Sequence, residues 1–321
     1  MSVPKAAVVG CSGPELTDAE RRLFGDADPL GFILFKRNCV DPAQLRALVA
    51  ALRETVGRAD ALVLIDQEGG RVARLGPPHW RKSPPASEFA AMFRADARAG
   101  VAAARLNARL MADELVAAGI NVDCTPVLDV PVAGADPIIG DRAYGDAPTP
   151  IALLGRAVCD GLLDRGVIPV IKHVPGHGRA RADSHKTLPV VDASRAVLSE
   201  TDFAPFKALA DAPTAMTAHV VYSAIDATAP ATCSKKVIAE VIRGEIGFDG
   251  LLFSDDIAMG ALSGPLGERA GTALAAGCDV ALHCSGVLDE TRAVLDASPP
   301  LTEAGSARLA RALATAAERR T

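Results

Sequence analysis

Residues 166–189 read GVIPVIKHVPGHGRARADSHKTLP, and they join an apolar run to an unusually polar segment. The run Gly166–Ile171 is typical of a strand that is buried on both faces. Pro175, Gly176 and Gly178 exclude a regular helix after it, which predicts a shaped loop at the carboxyl end of the strand. Functional side chains are concentrated on loops held by a rigid scaffold. The lysine, histidines and aspartate of this loop therefore indicate a functional site.

Apolar runs of this kind recur along the chain and alternate with helical patterns, which predicts parallel βαβ units. Eight such units in 321 residues match the count and size of a (β/α)8 barrel. A doubly wound open sheet is the competing fold, but the first turn, Gly10–Asp18, lacks its GxGxxG motif. We therefore expect an α/β fold, a TIM-type (β/α)8 barrel forming a single domain over residues 1–321. The predicted strands are Ala6–Gly10, Gly31–Lys36, Ala61–Asp66, a segment within Asn121–Val130, Val167–His173, Thr214–Val220, Gly250–Asp255 and Asp279–Cys284.

Capping residues and composition predict helices between these strands. Thr17 and Glu20 form a capping box pattern, and Asp41 precedes a helix over Pro42–Val56 that has proline in its first turn. The alanine-rich stretch Asp96–Ala118 and the stretch Ser194–Ala210 are also expected to be helical.

Composition excludes several classes of partner. The net charge is −5 and there is no basic run, so nucleic acid is not expected to bind. No apolar stretch reaches the length of about 18 residues that a membrane span needs. The seven cysteines are scattered without a CxxC motif, which favours free thiols in a reducing cytoplasm. We expect a cytoplasmic monomer that acts on a small molecule without a metal or other cofactor.

In a TIM-type barrel the carboxyl ends of the strands form the active face. Polar residues collect at that end of five predicted strands. Arg71 is interpreted as part of a loop-bracing salt bridge and not as a ligand, and Asp256 is equally consistent with a cap of the next helix and with a site residue. The residues at this rim are Asp66, Gln67, Glu68, Arg71, Arg74, Asp141, Arg142, Tyr144, Lys172, His173, His219, Ser254, Asp255 and Asp256.

Asp183 and His185 are two positions apart in the polar loop. In an extended segment such residues point to the same side, so the carboxylate can orient and charge the imidazole as a general acid/base requires. Gly176 and Gly178 would let the loop move and bring His185 to a bound ligand.

The chain lacks several common catalytic motifs: a GxSxG elbow, a P-loop, and a cysteine with recognisable histidine and asparagine partners. Carboxylate nucleophile chemistry with a separate acid/base, or metal-assisted hydrolysis, remains. With one tryptophan and two tyrosines, the chain has few aromatic rings to line a long polysaccharide cleft. A short polar pocket for one terminal sugar is therefore favoured.

Four motifs in this order resemble glycoside hydrolase family 3, and the resemblance extends from about Gly31 to Cys284. They are IDQEGGRVxRL, IIGDRAYG, KHVPGHGxxxxDSHxxLP and FSDDIAMGA. The resemblance implies a (β/α)8-type barrel like that of the family's single-domain bacterial members. It also implies a retaining β-N-acetylglucosaminidase that releases terminal N-acetylglucosamine from peptidoglycan fragments during cell-wall recycling.

The same resemblance implies roles for individual residues. Asp255 would be the nucleophile, a choice over Asp256 that spacing alone does not make. His185 would be the acid/base, with Asp183 as its partner. The sugar-binding residues would be Asp66, Arg74, Arg142, Lys172 and His173.

Two other functions compete with this hypothesis. A metal-dependent hydrolase on the same fold would use histidine and aspartate ligands from the polar loop and its neighbour. That ligand set would be His173, His177, Asp183, His185 and His219. Against it, Pro175 and Gly176 break any helical face between the first two histidines.

A sugar-binding barrel without catalytic activity is the other alternative.

Overall fold

The computed structural model describes residues 3–320, so Met1, Ser2 and Thr321 of the predicted domain 1–321 lie outside the described residues. Within that range eight strands form a closed barrel in which every neighbouring pair is parallel. The predicted (β/α)8 barrel is confirmed. The strands are β1 (Lys5–Gly10), β2 (Pro29–Leu34), β3 (Leu62–Ile65), β4 (Val122–Asp123), β5 (Ile168–Val174), β6 (Thr214–Thr217), β7 (Leu251–Asp256) and β8 (Val280–His283).

Helices form the outer layer of the barrel. The α-helices are α1 (Asp18–Ala27), α2 (Pro42–Val56), α3 (Ala86–Ala95), α4 (Ala97–Ala117), α5 (Pro148–Leu163), α6 (Arg195–Glu200), α7 (Ala204–Ala208), α8 (Leu266–Ala276), α9 (Leu288–Ala297) and α10 (Glu303–Arg319). A π-helix covers Val237–Glu245, and short 3₁₀ turns cover Lys36–Asn38, Gly140–Arg142 and Ala231–Cys233. A separate two-stranded sheet pairs Val190–Val191 with Val221–Tyr222. In residues 3–320, no helix combines the length and the apolar character needed to cross a bilayer.

Helix starts follow the predicted caps. Thr17 and Glu20 form both bonds of the capping box that opens α1. The Asp41 carboxylate accepts hydrogen bonds from the backbone N–H groups of Ala43 and Gln44, at 2.8 and 2.9 Å, and so begins α2. Asp96 is the N-cap of α4 and not its first helical residue. Side-chain acceptors satisfy N–H groups that the first helical turn leaves free.

Two predicted elements differ from the structure. The stretch Ser194–Ala210 forms two short helices, α6 and α7, because Pro205 cannot occupy a helix interior and instead lies in the first turn of α7. The fourth strand is short, since Pro126 has no N–H to continue the ladder. Helices α3 and α9 were not predicted from the sequence.

The apolar residues form two layers, one inside the barrel and one between the strands and the helices. On β1, for example, Ala6 and Val8 belong to the interior layer, whereas Ala7 and Val9 face the helices. Successive residues of a strand point to opposite faces. Because both faces are covered, the strands are apolar almost throughout, as parallel strands in such folds usually are.

Gly31 lies where β2 approaches its neighbouring strand β3 too closely to leave room for a side chain. It pairs with Val8 on one side and with Leu62 on the other, and a Cβ atom added to it would lie 2.4 Å from the Leu62 carbonyl oxygen. We expect Gly31→Ala to lower the free energy of unfolding by about 1–3 kcal/mol, because the β2–β3 ladder must shift. Urea unfolding would measure it. Gly13→Ala is the control, since a Cβ there meets nothing within 4 Å; equal stability of the two variants would contradict the prediction.

Candidate active site

Asp66, Lys172 and Asp255 lie at the carboxyl ends of β3, β5 and β7. Two positions before each of them is an apolar residue that fills the barrel interior. Residues two apart on a strand share a face, so these three polar side chains form the layer above that apolar interior. The sequence thus places charged groups at the mouth of the barrel, where apolar packing ends.

A buried ion-pair network forms the floor of the site. The Lys172 ammonium lies 2.8 Å from carboxylate oxygens of both Asp66 and Glu68. Arg142 binds Glu68 through two hydrogen bonds of 2.8 Å, and Arg74 binds Asp66 at 2.9 Å. We name these five residues the ionic floor. Lys172 is only 2% exposed, so this charge is almost completely removed from water.

Charge pairing overcomes burial in the ionic floor. Burial alone would lower the pKa of Lys172, but the two carboxylates raise it above its ordinary range. Burial alone would raise the pKa values of Asp66 and Glu68, but their cationic partners lower them, to about 2 for Glu68. All these groups are therefore ionised at neutral pH.

Asp129 holds the segment after β5 and is a site residue that the sequence analysis did not identify. Its buried carboxylate contacts His173 Nδ1 at 2.7 Å and accepts hydrogen bonds from the backbone N–H groups of His173 and His177. The second ring, His177, contacts the Ser184 hydroxyl at 3.0 Å through Nε2. Burial lowers the pKa of His177 to about 4, so this ring is neutral at pH 7.

Asp255 and Asp256 are adjacent, but their surroundings differ. Burial would raise the pKa of Asp255, but His173, His219 and Lys172 lower it below its ordinary range. Burial raises the pKa of Asp256 to about 6, and the Asp255 charge adds to that shift. Of the two, Asp255 is the better stabilised anion.

Asp256 has a structural task as well. One of its carboxylate oxygens accepts hydrogen bonds from the backbone N–H groups of Ala258 and Cys284, at 3.0 and 3.2 Å. It therefore caps the turn after β7 and not the next helix, since the N-cap of α8 is Pro265. Arg71 forms the predicted loop-bracing salt bridge, a 2.7 Å contact with Asp141 that joins the loop after β3 to the loop after β4.

His185 and Asp183 form a hydrogen-bonded pair, with Nδ1 of the ring 2.8 Å from a carboxylate oxygen. The segment is a turn and not extended, because the same oxygen accepts the His185 backbone N–H and the Asp183 carbonyl accepts the Lys186 N–H. The predicted contact is present, but the predicted local geometry was wrong. Burial would raise the pKa of Asp183, whereas its bonds to His185 lower it, so Asp183 remains a carboxylate.

A cavity of about 360 Å³ at the barrel mouth collects most of the candidate residues. The ionic floor, His173, Asp255 and His185 all line it, and Asp183 stands behind His185. The His185 side chain is 59% exposed, in contrast to the buried floor. Glu68 was noted in the sequence as a rim residue without a role, and Asp129 carried no signal beyond its position after the fourth strand.

The histidines do not form a ligand set for a metal ion. The His219 ring contacts the Thr232 hydroxyl and the Asp256 carbonyl, at 2.7 and 3.0 Å. His173 contacts Asp129, and His177 contacts Ser184. Within residues 3–320 no group of three or more histidine, cysteine, aspartate or glutamate side chains could hold a metal. The arrangement therefore does not favour the metal-dependent hydrolase.

Comparisons with known proteins agree with this geometry. The "Glycosyl hydrolase family 3 N terminal domain" family matches residues 12–319. A beta-hexosaminidase from Alkalilimnicola ehrlichii is 42% identical over 282 residues, which are 87% of this chain and 80% of the relative. One from Thiobacillus denitrificans is 39% identical, covering 94% of this chain and 84% of the relative. The solved structure of native NagZ from Neisseria gonorrhoeae superposes with a TM-score of 0.83 at 31% identity, covering 99% and 98% of the two chains.

The ionic floor makes stability depend on pH. The ordinary pKa of Glu68 is 4.5 and its folded-state value is about 2, so its contribution is complete above pH 4.5 and is lost as the pH falls toward 2. We expect Glu68→Gln to lower the free energy of unfolding by about 3 kcal/mol at pH 7, because Lys172 and Arg142 lose a buried counter-charge. The difference from wild type should shrink by about 1.4 kcal/mol per pH unit below 4.5.

Urea unfolding between pH 7 and pH 3 would measure this difference. Glu15→Gln is the matched control, because Glu15 is exposed. A Glu68→Gln deficit that stays constant over this pH range would contradict the linkage.

Proposed function

Because this chain belongs to glycoside hydrolase family 3 and is a β-N-acetylhexosaminidase, we propose that it is an exo-acting, retaining β-N-acetylglucosaminidase of peptidoglycan recycling. Its substrate is N-acetylglucosaminyl-1,6-anhydro-N-acetylmuramic acid, with or without a peptide. The reaction passes through a covalent glycosyl-aspartate intermediate. The observation that carries the proposal is that the Asp255 carboxylate and the Asp183–His185 pair serve one cavity.

In the first step an Asp255 oxygen attacks the anomeric carbon. A bond from that oxygen to carbon forms as the bond from carbon to the glycosidic oxygen breaks. The low pKa of Asp255 keeps the carboxylate ionised for this attack. His185 Nδ1 is bound to Asp183, so Nε2 is the atom that gives its proton to the departing oxygen.

In the second step the neutral His185 takes a proton from water, and the water oxygen attacks the same carbon. The bond to Asp255 breaks, the carboxylate is restored, and the sugar leaves with its original configuration. Ionised Asp183 stabilises the imidazolium that forms and holds its orientation. An imidazole can both give and take a proton, as the two steps require.

The sugar-binding residues, which contact the hydroxyl groups of the terminal sugar, are Asp66, Arg74, Arg142, Lys172 and His173. Lys172 uses two of its three N–H donors on Asp66 and Glu68 and keeps one for a ligand. The Asp66 oxygens each accept one bond in the structure and can accept another. The ionic floor closes the inner end of the cavity, which supports binding of one terminal residue and hence exo-action.

The cellular setting rests on other observations. All seven cysteines are free, which supports a reducing compartment, the cytoplasm. The saccharide is the proposed partner, and we propose that the protein acts as a monomer. The assignment to peptidoglycan fragments rests on the motif resemblance to family 3 members of cell-wall recycling.

Hydrolysis of p-nitrophenyl N-acetyl-β-glucosaminide beside the matching glucoside tests this function. We expect turnover of the N-acetyl substrate, and a fall in kcat on the order of 10³-fold or more in Asp255→Asn, because an amide cannot form the glycosyl ester. Asp256→Asn is the neighbouring control and should lose far less activity.

Binding of N-acetylglucosamine by titration calorimetry completes the test. Asp255→Asn should still bind the sugar, which separates lost chemistry from a lost pocket. A wild-type protein that binds the sugar but hydrolyses neither substrate would instead indicate the sugar-binding barrel without catalytic activity.

Metal removal separates the proposal from the metal-dependent hydrolase. Because the histidines are engaged with Asp129, Ser184, Asp183 and Thr232, we expect kcat to be unchanged after dialysis against EDTA. Hydrolysis that disappears with EDTA and returns with a divalent metal would overturn the assignment of His185 as the acid/base.

A further inference from the structure

The loop that carries His185 rests directly on the turn that follows Asp255. We name residues 175–189 the dyad loop and residues 257–262 the nucleophile turn. The backbone N–H of Gly260 donates to the His185 carbonyl, and that of Ala261 donates to the Ser184 carbonyl, both at 3.1 Å. The acid/base residue is therefore attached by its own main chain to the segment that leaves the nucleophile's strand.

The nucleophile turn is itself held firmly. The Arg269 guanidinium of α8 donates to the carbonyls of Ile257, Met259 and Gly264, at 3.0, 3.3 and 2.8 Å. Asp256 caps the start of the turn through the Ala258 N–H. The platform under the dyad loop is thus fixed to β7 and α8 by side-chain hydrogen bonds.

Gly260 leaves no space for a side chain under the dyad loop. A Cβ atom added to it would lie 2.8 Å from the carbonyl oxygens of both His185 and Lys186, and 3.0 Å from the Lys186 carbonyl carbon. These are backbone atoms, so no rotamer change relieves the clash. Gly260 is not among the glycines with positive φ, so its backbone conformation does not demand glycine; the approach of the dyad loop does.

We propose that Gly260 is a positioning residue for the reaction: the absence of its side chain lets the dyad loop dock on the nucleophile turn and sets His185 relative to Asp255. This inference rests on the proposed function, in which His185 transfers the proton and Asp255 attacks. Gly260 touches neither the substrate nor the reacting atoms, and it acts only through the backbone of His185 and Lys186.

A second contact holds the other side of the same loop. The Ser184 hydroxyl lies 3.0 Å from His177 Nε2, and Asp129 fixes the His177 backbone. Ser184 is therefore held between His177, near the start of the dyad loop, and the nucleophile turn. Loss of either the docking on Gly260 or the contact between Ser184 and His177 should move His185 while the ionic floor stays in place.

Leaving-group dependence distinguishes misplaced acid catalysis from general damage. The 2,4-dinitrophenolate of a 2,4-dinitrophenyl glycoside departs without protonation. The sugar alkoxide that leaves from N,N′-diacetylchitobiose needs a proton from His185. General acid catalysis contributes about 10²–10⁴-fold. We expect Gly260→Ala to lower kcat/KM for the disaccharide at least about tenfold more than for the dinitrophenyl substrate, with the competitive binding of N-acetylglucosamine unchanged. His185→Ala should show the same pattern, more strongly.

Gly271→Ala is the matched control, because a Cβ at that position in α8 meets nothing within 4 Å. Its kcat/KM values for the disaccharide and for the dinitrophenyl substrate should equal those of wild type. If Gly260→Ala does not fold, Ser184→Ala removes the His177 contact and should give the same selective loss. If the wild type is active, an equal loss of kcat/KM on both substrates, or no loss on either, would overturn the positioning role. Inactive wild type on both substrates would instead overturn the proposed function.

Discussion

The charge of Lys172 at the mouth of an apolar barrel is the constraint on which the site depends. Removing an ammonium from water costs several kcal/mol unless it is paired and hydrogen-bonded. Asp66 and Glu68 supply that pairing at 2.8 Å each, and Arg142 completes it from a separate loop. The network joins the ends of β3 and β5 to the loop after β4. These ion pairs hold side chains of like charge apart and fix them in one polar surface.

That surface explains how adjacent carboxylates acquire different tasks. Asp255 faces cationic and imidazole groups that lower its pKa, whereas Asp256 caps backbone N–H groups and has its pKa raised to about 6 by desolvation and by the Asp255 charge. Environments that push two neighbouring carboxyl pKa values apart are a common way to divide roles within a site. The spacing of the residues contains no such information, since the two differ by one position along the same strand.

The sequence predicted what depends on local pattern. Buried strands, the caps at Thr17 and Asp41, and the polar ends of β3, β5 and β7 all follow from periodicity and residue type. It did not predict Asp129, because the contact with His173 and His177 crosses from one strand end to the next. The break between α6 and α7 was missed, although Pro205 in the first turn of α7 marks the start of a new helix. For the Asp183–His185 pair, adjacency was enough to predict the contact, but an Asx-type turn and not an extended segment produces it.

The two halves of the site are built from different parts of the fold. The proposed sugar-binding groups belong to the wall of the barrel, whereas His185 is carried on the dyad loop, where its side chain is 59% exposed. Substitutions on the loop can therefore alter the timing and pH range of proton transfer while leaving sugar recognition intact, and substitutions in the wall can do the reverse. A lineage with this architecture can retune its working pH and its choice of sugar in separate evolutionary steps.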